Sequence, residues 1–366
     1  MHDTLHARNF SNYDMKKSTS TFTIALLLSI SSIKAQDISE VKLLAQNDLR
    51  KWGVKAGNYS GIANLNPEKS AGEMFSFAIV NDKEKQEGFY ILDIKQNART
   101  GEIELVKQSK LLSGNKQTSP HSDAEGIAYA PNTNTIFISY EGSQSILEYN
   151  LQGKATGKKL QVPVAFDSNH IHSNYGFEPL AYDAKNGLFW STTEQNTKSD
   201  GEKNAPSGCM LRLQSYNKEG VPVNQYIYHT DKPTAKKKGS TYAFGVSAMA
   251  ALEDGSLLLL EREFYVAPRY IGSWVNHRIY RTNPLGETVQ TKETPLKKEL
   301  VTEFKTTLNL LSQNLANYEG MCLGPQLQDG RRTLLLISDS QDNYGNRLYK
   351  MKDYIQVITF RYNEAN

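Results

Sequence analysis

Three stretches of the sequence carry the same pair of acidic residues. In each, a glutamate stands directly before an apolar run and a second acid ends the next apolar run, giving the pairs Glu125 and Glu141, Glu178 and Glu194, and Glu319 and Asp339. Two further stretches lack the glutamate but keep an acid at the second position, Asp82 and Glu261. Carboxylates held close together raise one another's pKa unless protonation, a basic partner or a bound cation relieves them.

These acids predict a site for a divalent cation. Oxygen-rich sites suit Ca²⁺, and we expect no organic cofactor. The predicted metal ligands are Glu125, Glu141, Glu178, Glu194, Glu261, Glu319 and Asp339, and the candidate catalytic acids are Glu125, Glu178 and Glu319. Each acid also has a purely structural interpretation, in which it accepts hydrogen bonds from backbone N–H groups and holds neighbouring units together.

Basic residues flank the same apolar runs. Arginine is suited to bidentate contact with phosphate or carboxylate groups. The candidate substrate-binding residues are His172, Arg262, Arg269, His277 and Arg278. The G-x-S-x-G, H-E-x-x-H, P-loop and Arg-His-Gly signatures are absent from the sequence, so hydrolysis by cation-activated water is the chemistry that these residues favour.

The elements that position the acids repeat along the chain. Each unit opens with a small residue and an apolar triplet, followed by a turn, a second apolar run and two weaker runs; the openers are "SGIANL", "EGIAYA", "EPLAYD", "GVSAMAAL" and "EGMCLG". Four strands per unit predict an all-β protein, a β-propeller of five or six four-stranded blades, with a β-sandwich pair or an open β-solenoid as alternatives. A degenerate sixth blade would lie between Pro284 and Leu315.

The propeller predicts where the acids meet. If the opener is the innermost strand and the next run its hairpin partner, each acidic pair lies directly across that hairpin, with Cβ atoms roughly 5 Å apart. Because the innermost strands of all blades run in the same direction, the acids gather at one mouth of the central channel. Apolar residues at three- and four-residue spacing predict short helices over 37–52 and around 297–316.

The N-terminus has the pattern of an export signal. Lys16 and Lys17 precede an apolar stretch that ends near Ile33, and Ala35 offers a cleavage position. We expect residues 1–35 to be a leader, with Met15 as the true start, and residues 36–366 to form a single exported domain, periplasmic or extracellular. The apolar stretch is too short for a membrane span, which takes about 20 residues.

Composition limits the partners. The formal net charge is +3 at pH 7 and no long run of one charge occurs, so nucleic acid is not an expected partner. We expect a monomer that acts on a small molecule, and a phosphorylated one if the basic residues contact it. Cys209 and Cys322 lie in different units and are expected to be buried free thiols.

The ordered motifs resemble a known family. "DAEGIAY", "GFEPLAYD", "DGSLLLLEREF" with "HRIYR", and "NYEGMCLGP" with "DGRRTLLLISD" are similar to the family called esterase-like activity of phytase, the phytase-like domain, from about Ser60 to Phe360. The resemblance implies a secreted β-propeller and hydrolysis of phosphoesters or esters. It also implies that Glu125, Glu178 and Glu319 are the family's blade-opening glutamates. Pro179 replaces the usual glycine of the opener, and the first and fourth units lack its glutamate.

Three functions are compatible with these observations. The first is an exported phosphoester hydrolase that uses a cation at the acidic mouth. The second is a non-catalytic propeller that binds a ligand or protein there. The third is a cation-dependent hydrolase of carboxylic esters or lactones.

Overall fold

The computed structural model describes residues 37–114, 123–286, 291, 293–311, 313–345 and 349–363. The predicted leader, residues 1–35, lies outside this part of the chain. The described strands, in chain order, are β1 (Asp37–Leu43), β2 (Asn47–Asp48), β3 (Tyr59–Asn64), β4 (Met74–Asn81), β5 (Tyr90–Gln96), β6 (Ile103–Gln108), β7 (Ala124–Ala130), β8 (Thr135–Tyr140), β9 (Ser145–Asn150), β10 (Ala155–Lys159), β11 (Phe177–Asp183), β12 (Leu188–Thr193), β13 (Met210–Tyr216), β14 (Pro222–His229), β15 (Thr241–Ala251), β16 (Leu257–Val266), β17 (Ser273–Thr282), β18 (Glu299–Leu308), β19 (Asn317–Leu323), β20 (Arg332–Asp339) and β21 (Tyr354–Asn363).

The strands form five antiparallel sheets, which are the five blades of a propeller. Blades 1 to 4 are β3–β6, β7–β10, β11–β14 and β15–β18, each in sequence order. The innermost strands contact one another in the order β3, β7, β11, β15, β19 and back to β3. The predicted all-β propeller of four-stranded blades is therefore confirmed, and the number of blades is five. The segment considered for a sixth blade supplies β18, the outermost strand of blade 4.

The two ends of the described chain close the ring together. Blade 5 has the strand order β1-β21-β20-β19, so its outermost strand comes from the N-terminal end of the fold. Asp37 pairs with Asn363 and Leu43 with Ile358, and β2 adds a short pairing with β21. Because this sheet contains strands from both ends of the described chain, its hydrogen bonds hold the ring of blades closed.

The prediction of helices over 37–52 and around 297–316 is correct only for the end of 37–52, which forms a 3₁₀ segment, and is wrong for the strands Asp37–Leu43 and Glu299–Leu308. In the described residues, helical structure is limited to three short 3₁₀ segments, Leu49–Trp52, Val164–Phe166 and Pro284–Gly286. A β-bulge explains the misleading spacing, because it shifts the register of β1 so that Ile38 and Val41 pack on the same core. A second register shift, at Val301 in β18, produces the same helix-like spacing there.

The hydrophobic core lies between neighbouring blades. One cluster of buried side chains fills each junction of the ring, and each cluster draws residues from both blades that it joins. Between blades 2 and 3, the rings of Phe137 and Phe189 lie 4.3 Å apart. Burial of apolar surface stabilises the fold by about 25 cal/mol per Å². A single sheet cannot cover both of its faces, so stacking in a closed ring creates this core.

Glycine allows the innermost strands to approach closely. A Cβ atom at Gly126 would lie 2.5 Å from Ser139 Oγ and 2.6 Å from the carbonyl oxygen of Glu178 in the next blade. Ser139 Oγ accepts from Gly126 N at 2.8 Å and donates to the Glu178 carbonyl at 3.0 Å. The glycine after the opening glutamate thus has a packing function, since any side chain would push the blades apart.

The structure also bears on the two cysteines and on membrane-spanning helices. Cys209 and Cys322 are both buried free thiols, as predicted. Within the described residues, no helix has the length and apolar character needed to cross a membrane.

Candidate functional site

Each innermost strand contains a β-bulge within the opener of its sequence unit, near the start of the strand in blades 1, 2, 3 and 5 and in the middle of β15 in blade 4. The pairing register with the second strand shifts at this point in all five blades. A bulge leaves an extra residue unpaired and redirects its side chain. From blade 1 to blade 5 the bulge residues are Ser60, Glu125, Glu178, Ser247 and Glu319. All but Glu178 are found together lining a narrow space of about 10 Å³ in the channel, which is room for roughly one water.

The second strand of each blade brings another side chain to the same end of the channel. Backbone pairing places it opposite the residue two positions before the bulge, as in the bonds from Glu141 N to Asp123 O and from Glu194 N to Gly176 O. The equivalent positions from blade 1 to blade 5 are Asp82, Glu141, Glu194, Arg262 and Asp339. The acidic ring is defined here as Asp82, Glu125, Glu141, Glu178, Glu194, Glu319 and Asp339.

Arg262 joins three blades at the acidic ring. It lies in blade 4, and its Nη2 is 2.9 Å from Glu194 Oε1 in blade 3 and 3.2 Å from Glu319 Oε1 in blade 5. The guanidinium is only 6% exposed. Burial opposes its charge, while Glu194, Glu319, Glu178 and Asp339 raise the pKa of Arg262. Arg262 is therefore the fixed positive charge around which part of the ring is organised.

Burial and mutual repulsion raise the pKa of the ring acids. For Glu125 the main cause is burial, followed by the charge of Glu319, and its pKa lies well above the ordinary value. The pKa of Glu178 is raised in the same way, by burial and by the charge of Glu125. Burial raises the pKa of Glu194 to about 7 although Arg262 opposes the shift. The ring therefore holds protons near neutral pH unless a cation replaces them.

Glu319 and Asp339 form a coupled pair in blade 5. Burial, and then the charge of Glu319, raise the pKa of Asp339 well above its ordinary value. For Glu319, burial raises the pKa and the charge of Arg262 opposes this rise to a smaller extent. Its carboxylate accepts from Asn317 Nδ2 at 2.7 Å. Asp339 also accepts from Gln341 N at 2.6 Å. Burial therefore raises the pKa of both carboxylates, and Arg262 opposes the rise for Glu319.

A smaller group of acids at the junction of blades 1 and 2 has the spacing of a metal site. Asp82, Asp123 and Glu125 each offer an oxygen, and these atoms lie within 4.8 Å of one another. Asp82 Oδ1 is buried and has no hydrogen-bond partner in the described part of the chain. Lys83 Nζ lies 2.5 Å from Asp82 Oδ2 and 3.9 Å from Asp123 Oδ1, with its side chain 55% exposed. An ammonium group thus already lies beside this cluster, on a side chain free to move away.

The structure does not bring Glu261 to the acidic ring. Arg262 occupies the ring position, and Glu261 is one residue earlier, opposite Val246. Its carboxylate accepts from Tyr228 Oη at 2.7 Å, Asp231 N at 2.8 Å and Lys298 Nζ at 2.6 Å. Side chains alternate between the faces of a strand, so a shift of one residue turns the carboxylate away. β16 continues to Val266, so its acid does not mark the strand end as it does in other blades.

His277 is part of the core and not of an open binding surface. It pairs with Arg262 across β16 and β17, and its ring stacks on Phe304 with centroids 4.7 Å apart. Tyr318 N donates to His277 Nε2 at 3.3 Å. Burial, together with the Arg262 charge, lowers the pKa of His277 to about 3. The imidazole of His277 is therefore neutral and enclosed. It packs beside Arg262 and is not accessible to a substrate.

The remaining predicted substrate-binding residues have other partners or are exposed. Arg278 Nε donates to Glu303 Oε1 at 2.9 Å on the outermost strand of blade 4. His172 lies in the loop before β11 and Gly201 in the loop after β12, and His172 Nε2 is 2.9 Å from the carbonyl oxygen of Gly201. Arg269 is exposed in the turn between β16 and β17. Of the five candidates, the structure brings Arg262 to the acidic ring.

Sequence reasoning missed two residues of the site. Asp123 lies two positions before Glu125 in "DAEG", but its backbone is left-handed, with a φ of 56°, and Glu125 lies in a bulge, so the alternation of an extended strand does not predict that the two side chains meet. Lys83 directly follows Asp82, and no pattern in the sequence shows that its amine lies between blades 1 and 2. Tyr175 also lies near the ring: burial raises its pKa, the charge of Glu194 adds to the rise, and the charge of Arg262 opposes it.

An apolar ring closes the channel below the acids. Two positions after each bulge residue, every blade contributes one buried apolar side chain, and together these are Ile62, Ile127, Leu180, Met249 and Met321. Low-dielectric walls strengthen charge interactions and disfavour ionisation. The apolar ring therefore explains why burial is the leading cause of the raised pKa values above it.

Fold and site together define a five-bladed β-propeller with a carboxylate-rich channel mouth. A family model described as phytase-like, esterase-like activity of phytase, matches residues 55–343. The chain belongs to this family, which confirms the resemblance seen in the motifs. A comparison with curated protein sequences gives no match.

Three solved structures illustrate distant similarity in fold. The luciferin-regenerating enzyme is 12% identical, with a TM-score of 0.39 over 87% of this chain and 95% of that one. A chain of the nidogen/laminin complex is 11% identical, with a TM-score of 0.36 over 78% and 73%. The WD40 β-propeller domain of Doa1 is 7% identical, with a TM-score of 0.35 over 87% and 97%. Similarity at this level carries no functional information.

Proposed function

We propose that the protein is an exported hydrolase of phosphoesters that binds a divalent cation at the acidic ring. The observation that carries the proposal is the cluster of Asp82, Asp123 and Glu125, whose oxygens lie within 4.8 Å of one another. A donor set made only of carboxylate oxygens suits Ca²⁺. Asp82 Oδ1 is buried and has no hydrogen-bond partner among the described residues, and a bound cation would supply that partner.

The cation solves an electrostatic difficulty of the site. The ring has seven acids, whereas the positive charges beside it in the described residues are Arg262 and Lys83. A phosphoester is repelled by such a mouth unless added positive charge offsets the carboxylates. When bound, the cation would supply that charge and lower the pKa of a bound water.

The acids of the ring take different roles because their environments differ. Burial and the charge of Glu125 raise the pKa of Glu178, which suits it to protonate a leaving-group oxygen. Arg262 positions Glu194 and Glu319 through its two ion pairs. Lys83 has the exposure needed to leave Asp82 and contact a substrate phosphate.

A carboxylic ester or lactone is the second candidate substrate. The excess of acids over bases at the mouth favours it, because an uncharged ester is not repelled by carboxylates. The same cation and the same Glu178 proton would serve this reaction.

The test is hydrolysis with and without calcium. Wild type is assayed on p-nitrophenyl phosphate, phytate, p-nitrophenyl acetate and a simple lactone, in calcium and in chelator. We expect phosphoester turnover that chelator abolishes, and a loss of about 10²–10⁴-fold in kcat for Glu178→Gln, the usual contribution of a proton-transferring residue. Glu104→Gln, in an exposed side chain of β6, is the matched control and should keep full activity.

The outcomes separate the candidate functions. Turnover of the acetate or lactone alone would transfer the proposal to the second candidate. No turnover of any substrate with any divalent ion would contradict a hydrolase and favour a non-catalytic binding propeller.

Export is a separate part of the proposal. We propose that residues 1–35 are removed and that 36–366 is the secreted domain. Expression in a bacterium with an outer membrane, followed by N-terminal sequencing of the periplasmic protein, should give a first residue at or close to Gln36. Recovery of uncleaved protein in the cytoplasm would contradict this.

A further inference from the structure

A second cavity lies at the opposite end of the channel from the acidic ring. It has a volume of about 490 Å³ and lies at the C-terminal ends of the five innermost strands. We name it the chamber. Small-molecule sites have volumes of about 300–1,000 Å³, mostly apolar walls and a few polar groups. The chamber fits that description, and it is independent of the proposed hydrolytic function.

The repeat itself creates the chamber. The residue after each member of the apolar ring is small in every blade, namely Ala63, Ala128, Ala181, Ala250 and Cys322. These short side chains leave space on the axis, while Ile62, Ile127, Leu180, Met249 and Met321 fill it one step above. The narrow space of about 10 Å³ on the acidic side shows how tightly the apolar ring closes the channel. A molecule in the chamber is therefore separated from the carboxylates.

Two basic side chains lie at the rim of the chamber. Arg332 Nη2 is 2.5 Å from Glu253 Oε1, but Glu253 is 60% exposed, and exposed ion pairs contribute little. Arg332 Nε is buried and has no hydrogen-bond partner among the described residues. Lys185 also lines the rim, with its amine donating to the backbone oxygen of Asp254 at 2.8 Å. An unpartnered N–H of a guanidinium beside apolar walls is a feature that a ligand carboxylate completes.

We propose that the chamber binds an apolar monocarboxylate. Its hydrocarbon body occupies the small-residue walls, and its carboxylate accepts from Arg332 Nε at the rim with Lys185 nearby. The head group distinguishes this ligand from neutral or cationic apolar molecules, since two cations and one exposed anion, Glu253, surround the entrance.

The probe for this site is octanoate, with octanol and octylamine as matched molecules that lack the anion. Binding to the folded chain is measured by isothermal titration calorimetry. We expect saturable binding of one octanoate per chain, and weaker binding of octanol and octylamine. Arg332→Gln should weaken octanoate about ten-fold or more and leave octanol within about two-fold, because a hydrogen bond to a charged group contributes about 1.5–3 kcal/mol.

Exposed positions provide the blocking variant and the controls. Ala184 lines the chamber and is exposed, so Ala184→Trp should obstruct the entrance and abolish octanoate binding without a cost to the core. Arg331→Gln removes the neighbouring arginine, which pairs with Asp329 at 2.7 Å outside the chamber, and Ala155→Trp places the same ring on β10. Both controls should bind octanoate as wild type does.

The proposal fails on several results. Absence of saturable octanoate binding to wild type would overturn it. So would equal octanoate affinity in wild type and Arg332→Gln, or normal binding in Ala184→Trp. If Arg332→Gln does not fold, as judged by thermal unfolding, Arg332→Lys replaces it, and this variant should keep the charge but lose most of the affinity that the Nε contact gives.

Discussion

Replacing Arg262 with methionine removes the positive charge that lies between two acids of the ring. The pairs with Glu194 and Glu319, at 2.9 Å and 3.2 Å, have almost no contact with water. Removing one partner of a buried ion pair costs about 3–5 kcal/mol, because the other charge remains buried. Domains are typically stable by about 5–15 kcal/mol, so the variant should unfold at a much lower urea concentration.

The loss should depend on pH. In wild type the pKa of Glu194 is raised to about 7, so its proton stabilises the fold below the ordinary pKa, and this contribution is lost as pH rises through about 7. Without Arg262 the pKa of Glu194 rises further, which extends the loss to higher pH. Since one pKa unit corresponds to about 1.4 kcal/mol, the cost of Arg262→Met should be about 1–3 kcal/mol greater at about pH 8 than at about pH 5.5.

Urea unfolding of wild type and variant at the two pH values, in chelator, measures the effect. Arg212→Met is the matched control, since Arg212 Nε pairs with Asp200 Oδ2 at 2.5 Å on blade 3, away from the ring. Arg212 pairs with a single aspartate outside the ring, so the cost of Arg212→Met should change less between the two pH values than the cost of Arg262→Met. An Arg262→Met cost that is small, or equal at the two pH values, would refute the electrostatic organisation described for the ring.

Other predictions concern the cation. Lys83→Met should strengthen calcium binding by up to about thirty-fold by calorimetry, because a unit charge about 4 Å away in water opposes a divalent cation by about 2 kcal/mol; weaker binding would contradict competition. Glu261→Gln should leave calcium affinity unchanged, since that carboxylate binds Tyr228 and Lys298, and a loss would place it in the metal site. In chelator, the melting temperature of wild type should fall as pH rises from about 5.5 to about 8, because the pKa of Glu125 and of Glu178 is raised, and calcium should reduce that fall.

The fold could be predicted because the repeat is regular where burial is strongest. Most residues of the opener and the second run are buried in every blade, so their apolar pattern and the turns between them are constrained. The outer strands are different: β18 and β1 have one exposed face and a bulge, and their apolar spacing imitates a helix. The closure of blade 5 by β1 depends on contacts across the whole chain, which no local pattern reveals.

The site could be predicted in part for the same reason. Glu125, Glu178 and Glu319 occupy a bulge whose position the opener marks. The structure places Glu261 outside the ring, because β16 runs beyond the channel mouth and the acid that ends the apolar run is one residue before the ring position. A histidine followed by an arginine is typical of a binding loop, but His277 and Arg278 lie within β17. Strand pairing there decides the direction of each side chain.

A lanthanide or calcium soak of crystals, with an anomalous difference map, is the most direct test of the proposed cation site. We predict one strong peak among the carboxylate oxygens of Asp82, Asp123 and Glu125, at about 2.3–2.6 Å from its ligands for calcium, with Lys83 displaced from Asp82. The peak should be absent from Asp82→Asn crystals soaked in the same way. A clean map at the acidic ring of wild type, or a peak confined to another part of the surface, would contradict the proposed cation site.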